Sequence, residues 1–111
     1  MNGLDIYVTR GEVDIHERSY FGVTTFVFSH KTRKYYRVVF APPAAIQAVC
    51  GTHHLDNGIS YESLILVKDL RDETIKHAMQ YAEEARNYLS TLLPLDNLDC
   101  SDVEYVKMGT L

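Results

Sequence analysis

Within the first forty residues, short stretches carry apolar side chains at every second position, a period that points to β-strands. Leu4, Ile6 and Val8 alternate with Asp5, Tyr7 and Thr9; beyond Arg10-Gly11 the alternation resumes at Val13 and Ile15. This predicts a hairpin with one wet face. "GVTTFVFSH" and "YYRVVFA", rich in β-branched and aromatic residues and joined by the polar link Lys31 to Lys34, predict a second hairpin. Pro42-Pro43 closes the region, because proline cannot donate to a ladder but does fit the first turn of a helix. "PPAAIQAVCG" therefore reads as a short connecting helix ended by Gly51.

The later chain changes period. "ISYESLILV" predicts a fifth strand, centrally buried because its last four residues are apolar without a break. Asp69 or Asp72 then opens a helix read as running to Leu93 and stopped by Pro94. At ~100° per residue, Ile75, Ala78, Met79, Ala82, Leu89 and Leu93 share one face. His77, Tyr81, Tyr88 and Leu92 form a shoulder beside it, and Arg86 falls inside the apolar stripe. A last strand is expected at Val103 to Met108. The sum is a single α+β domain over residues 1–111: an antiparallel sheet of four to six strands with one long helix on one face.

Composition adds boundaries. Residues 1–40 hold six Lys and Arg against four acids (+2), and residues 41–111 hold five against eleven (−6), so the two parts offer partners different fields. No apolar run approaches the roughly 20 residues of a membrane span, and "MNGLDIYVTR" lacks a cationic start before an apolar stretch. A cytoplasmic protein that does not enter membranes is expected. Its two cysteines are read as free thiols.

Three groups of residues suggest working surfaces. Cys50, His53 and His54 in "VCGTHHLD" supply up to two zinc ligands from one turn, with Cys100, Asp56 or His30 needed to complete a set. Structural zinc sites show two paired clusters and this chain shows one, so the expectation is a loop, no metal and no cofactor. A Cys50–His54 nucleophile is disfavoured, because the end of a helix raises a thiol pKa. Lys31, Arg33, Lys34, Tyr35, Tyr36 and Arg37 interleave cations with rings, which suits an acidic protein partner or, alternatively, single-stranded nucleic acid. Tyr81 and Tyr88 supply interface-type anchors for a partner or for a second copy in a homodimer.

Glu83 and Glu84 point about 100° apart and cannot flank one bond, and no G-x-S-x-G, Walker, G-x-G-x-x-G or H-E-x-x-H pattern occurs. A non-enzymatic protein-binding module is the leading expectation, its partner a larger complex. Compact, acidic, tyrosine-rich domains of this size also serve phages and mobile elements as inhibitors of host defence complexes, anti-CRISPR proteins among them.

Overall fold

The computed structural model describes residues 3–18, 22–44, 63–98 and 104–111. Five strands form one sheet: β1 (Leu4–Thr9), β2 (Val23–Ser29), β3 (Lys34–Ala41), β4 (Leu64–Leu66) and β5 (Tyr105–Thr110). Their order is β4-β3-β2-β1-β5, with β3 and β4 parallel and every other pairing antiparallel. One long helix, α1 (Asp72–Arg86), covers one face, so the α+β arrangement read from the sequence is the one found. Pro43 and Ala44 have helical geometry; the remainder of the segment expected as a connecting helix, with Cys50, His53 and His54, lies outside the described residues.

The core follows from the period-2 pattern. Leu4, Ile6, Val27, Tyr36, Val38 and Phe40 turn to the helix side, where Ile75, Met79 and Ala82 of α1 meet them. Each such side chain, moved fully out of water, contributes ~1.5–3 kcal/mol before the cost of ordering the chain. Thr25 is fully buried among them and its hydroxyl donates to the Val38 carbonyl at 2.8 Å, so no polar group is stranded there. At the mouth of β2, Gly22 has φ +134°, and a Cβ there would come within 2.9 Å of the Phe40 carbonyl oxygen. Only glycine suits both the dihedral and the approach.

The two hairpins read from the sequence fare differently. β2 and β3 pair residue for residue from Val23↔Phe40 to Ser29↔Lys34, around a turn in which Arg33 takes φ +61°. The first hairpin is replaced: Arg10–Glu12 and Ile15–Glu17 are 3-10 turns, and Val13 and Ile15 are exposed. The free edge of β1 is taken instead by β5, whose Val106 pairs with Val8. Arg10 turns to Glu104, with its guanidinium 2.8 Å from that carboxylate. An alternation only four residues long could not outbid a six-residue partner brought from the far end of the chain.

β4 also departs from expectation. It lies at the sheet edge with Leu66 51% exposed, because a continuous apolar run marks a strand that meets something on each face without saying where in the sheet it sits.

The long helix starts where expected and stops early. Asp69 accepts from the Thr74 hydroxyl at 2.6 Å and the Arg71 N–H at 3.1 Å, just ahead of the first turn. Those two bonds, the Thr74 hydroxyl first, hold its carboxyl down to about 2. Because the folded-state pKa is depressed, this contribution to stability is present above pH ~4 and is lost as pH falls through about 2. Asp69→Ala is therefore expected to lower the melting temperature at pH 6, with the gap to the parent protein shrinking between pH 4 and pH 2. At the other end Asn87 takes the left-handed conformation (φ 49°, ψ 48°) and its N–H caps the Ala82 and Glu83 carbonyls. The chain then makes a 3-10 turn, Tyr88–Thr91. Leu89 still reaches the core, whereas Leu93 is 81% exposed, so the stripe drawn through to Leu93 breaks at Asn87.

Candidate binding face

The face of the sheet turned away from α1 carries the side chains of the other parity. Cross-strand register sets Tyr7 beside Phe26, Phe28 beside Tyr35, and Thr9 beside Tyr105. The rings touch: Phe28 and Tyr35 are 4.8 Å apart between centroids, Phe26 and Tyr105 5.2 Å, and Tyr7 and Tyr35 6.2 Å. All five are half-buried by one another and by the sheet beneath, and none belongs to the helix-side core. The result is an apolar platform across β3, β2, β1 and β5. Aromatic rings of this kind can each bury roughly 150–250 Å², the sort of area that anchors interfaces.

One end of the platform is closed by a charge cluster. The Asp5 carboxylate, only 9% exposed, faces His30 Nε2 at 2.8 Å, the Thr110 hydroxyl at 2.8 Å and Lys107 Nζ at 3.4 Å. Burial by itself pushes its carboxyl up; the bonds from His30, Thr110 and Lys107 outweigh that and hold it below the usual carboxylate range. His30 is thereby tied to a carboxylate, and its ring also packs 5.7 Å from Phe28.

The basic aromatic run is split by the strand's alternation. Lys31 and Arg33 sit exposed in the β2–β3 turn, and Lys34 ion-pairs with Asp96. Tyr36 is buried on the helix side with its hydroxyl 3.1 Å from Thr32 Oγ1. Tyr35 and Arg37 alone of the run reach the open face. The helix shoulder is divided as well: Tyr81 is 58% exposed on α1, while Tyr88 follows the left-handed Asn87 and packs against the core rim.

The sequence motifs do not point to the platform as a whole; its signal is the outward aromatics Tyr7, Phe26 and Phe28, which alternate with the buried residues of β1 and β2. The described residues contain no cluster of three or more His, Cys, Asp or Glu placed to hold a metal ion, and no helix long and apolar enough to cross a membrane.

Near the platform, a cleft of about 480 Å³ opens beside β3 between Leu64 and Leu95, with Arg37, Tyr88 and Leu93 among its walls. The Tyr88 hydroxyl is shut from solvent and has no hydrogen-bond partner among the described residues. Burial pushes its pKa up. A buried hydroxyl left unpaired costs ~1–3 kcal/mol.

Among the described residues, the fold and surface define an α+β protein with one main helix and an aromatic face on the side of the sheet away from it. No protein-family model, curated protein or solved structure matches the chain.

Proposed function

We propose that this chain is a protein-binding module that docks through the open aromatic face of its sheet. The observation that carries this reading is the platform of five contiguous, half-buried rings, Tyr7, Phe26, Phe28, Tyr35 and Tyr105, bounded by a paired charge cluster. An apolar centre with a polar rim is the anatomy of a protein interface. Nucleic acid is the less favoured partner. The rings stand 52–86° to one another, so they do not offer the parallel faces that successive unstacked bases require. Of the cations in the run 31–37, Arg37 is the one that lies on the face. Binding by occlusion, without catalysis or cofactor, is the mode by which an inhibitor of a host defence complex would work.

The test is a capture from host lysate, with and without nuclease treatment, using the parent protein and Phe28→Ala, Tyr35→Ala and Tyr81→Ala variants. The reading expects one retained protein complex, bound at least tenfold more weakly by the Phe28 and Tyr35 variants, each anchor being worth ~2 kcal/mol or more. Tyr81→Ala, off the platform, should bind as the parent does. Retention that depends on nucleic acid, or loss confined to Tyr81→Ala, would sink the reading.

A further inference from the structure

The aromatic platform carries a charge pattern that its ring contacts do not explain. Register places Arg37 of β3 opposite Phe26 of β2, Phe26 opposite Tyr7 of β1, and Tyr7 opposite Lys107 of β5. One row across four strands thus reads cation, ring, ring, cation, and residues paired in this way share a face of the sheet. Arg37 is exposed and has no carboxylate or hydrogen-bond partner among the described residues. Lys107 is 49% exposed, with its ammonium 3.4 Å from Asp5, a carboxylate that His30 and Thr110 already meet at 2.8 Å. An ammonium carries three donors, so its contact with Asp5 leaves Lys107 able to meet a second anion. Among the described strand residues turned to this face, Asp5 is the one carboxylate, and it is 9% exposed. The face therefore shows solvent two cations and almost no negative charge, although the chain as a whole carries −4.

A surface of that sign favours an acidic partner and repels a basic one. Neighbouring strands lie ~4.8 Å apart, so the row spans about 14 Å from β3 to β5. An extended chain brings its positions i and i+4 to one side roughly 13 Å apart, with i+2 midway on that same side. On an α-helix the repeats of one face fall at roughly 10.5 and 16.5 Å, short of the span and beyond it. We propose that the partner presents an extended acidic segment to this row, with carboxylates at i and i+4 on Arg37 and Lys107 and an apolar side chain at i+2 over Phe26 and Tyr7. This rests on the platform being the docking face and names the chemistry of what docks there. The rings supply the buried area, and the two cations supply the choice among apolar partners.

The experiment is a titration of the full isotope-labelled chain with acetyl-Glu-Thr-Phe-Thr-Glu-amide and with acetyl-Gln-Thr-Phe-Thr-Gln-amide, read by backbone amide shifts. The expected result is saturable shifts at Tyr7, Phe26, Arg37 and Lys107, with the glutamate peptide binding about tenfold more tightly at low ionic strength and its advantage shrinking as salt is raised. Arg37→Gln should cut that advantage to about threefold, one of the two charge pairs being lost. Arg37→Glu combined with Lys107→Glu should reverse the choice, so that acetyl-Lys-Thr-Phe-Thr-Lys-amide binds better than the glutamate peptide, a result that damage to the fold does not produce. Lys68→Gln, exposed and on the helix side, should leave the advantage as it is. Equal binding of the glutamate and glutamine peptides at these residues would overturn the acidic preference and leave the platform standing. Shifts confined to other parts of the chain, no saturable shifts at millimolar peptide, or tighter binding of oligothymidylate than of the glutamate peptide would overturn it as well. Lysate capture that does not depend on Phe28 and Tyr35, in contrast, bears on the platform itself.

Discussion

Arg18→Ala is expected to lose about 3–5 kcal/mol of folding stability, the cost of breaking a buried charge network. The Arg18 side chain is 1% exposed, an unusual place for a cation, and it is fully engaged. Its Nε donates to the Glu12 carbonyl at 2.7 Å, its Nη1 to the Leu70 carbonyl, and its Nη2 to the Val13 carbonyl at 3.3 Å and to the Asp72 carboxylate at 2.6 Å. One side chain thus ties the turns after β1 to the first turn of α1. Truncation leaves three carbonyls without their donor, each orphan costing up to ~1–3 kcal/mol before relaxation and hydration. Arg18→Lys should recover less than half of the loss, because one ammonium cannot reach four acceptors spread over the span of a guanidinium fork. Asp72→Ala should cost much less, about 1 kcal/mol, since that carboxylate is 46% exposed and water can replace it. Urea unfolding of the three variants checks the order; an Arg18→Ala protein within 1 kcal/mol of the parent would contradict it.

Phe40→Ala is expected to cost a similar ~3–5 kcal/mol, by a different cause. Phe40 is the largest of the fully buried side chains and lies where β3, Val67 and α1 meet. Removing the ring forfeits its transfer energy and leaves a cavity that the sheet, pinned on both sides of β3, cannot close. Against a typical total of ~5–15 kcal/mol, either substitution leaves a marginal protein. Their signatures differ: Phe40→Leu should restore most of the loss by refilling volume, whereas no apolar substitute for Arg18 should do so, since none donates to the stranded carbonyls. Thermal and urea midpoints for the two pairs give the comparison.

These two residues also mark how far the sequence could be read. Phe40 shows what a period of two carries: in "YYRVVFA" Tyr36, Val38 and Phe40 fall two apart and all three are buried, and a one-residue slip would expose them together. The class of fold, the β2–β3 hairpin, the inward face of the sheet and the start of α1 at Asp69 to Asp72 rest on such local chemistry, in which neighbours within a few residues decide the outcome. Arg18 carries no such mark. In "IHERSY" it looks like any surface cation, whereas Arg86, which the helical period sets inside the apolar stripe, is the exposed one.

What the tertiary structure decided were choices among partners far apart in the chain. β1 took β5 across some hundred residues rather than its neighbour, because the longer ladder satisfies more backbone groups. Asn87 ended the helix in a conformation that its sequence tolerated but did not demand. The platform appeared only when four strands set their outward rings side by side. Local period fixes which way a side chain points; which strands lie next to it, and so which side chains it meets, is a global free-energy minimum that no window of the sequence contains.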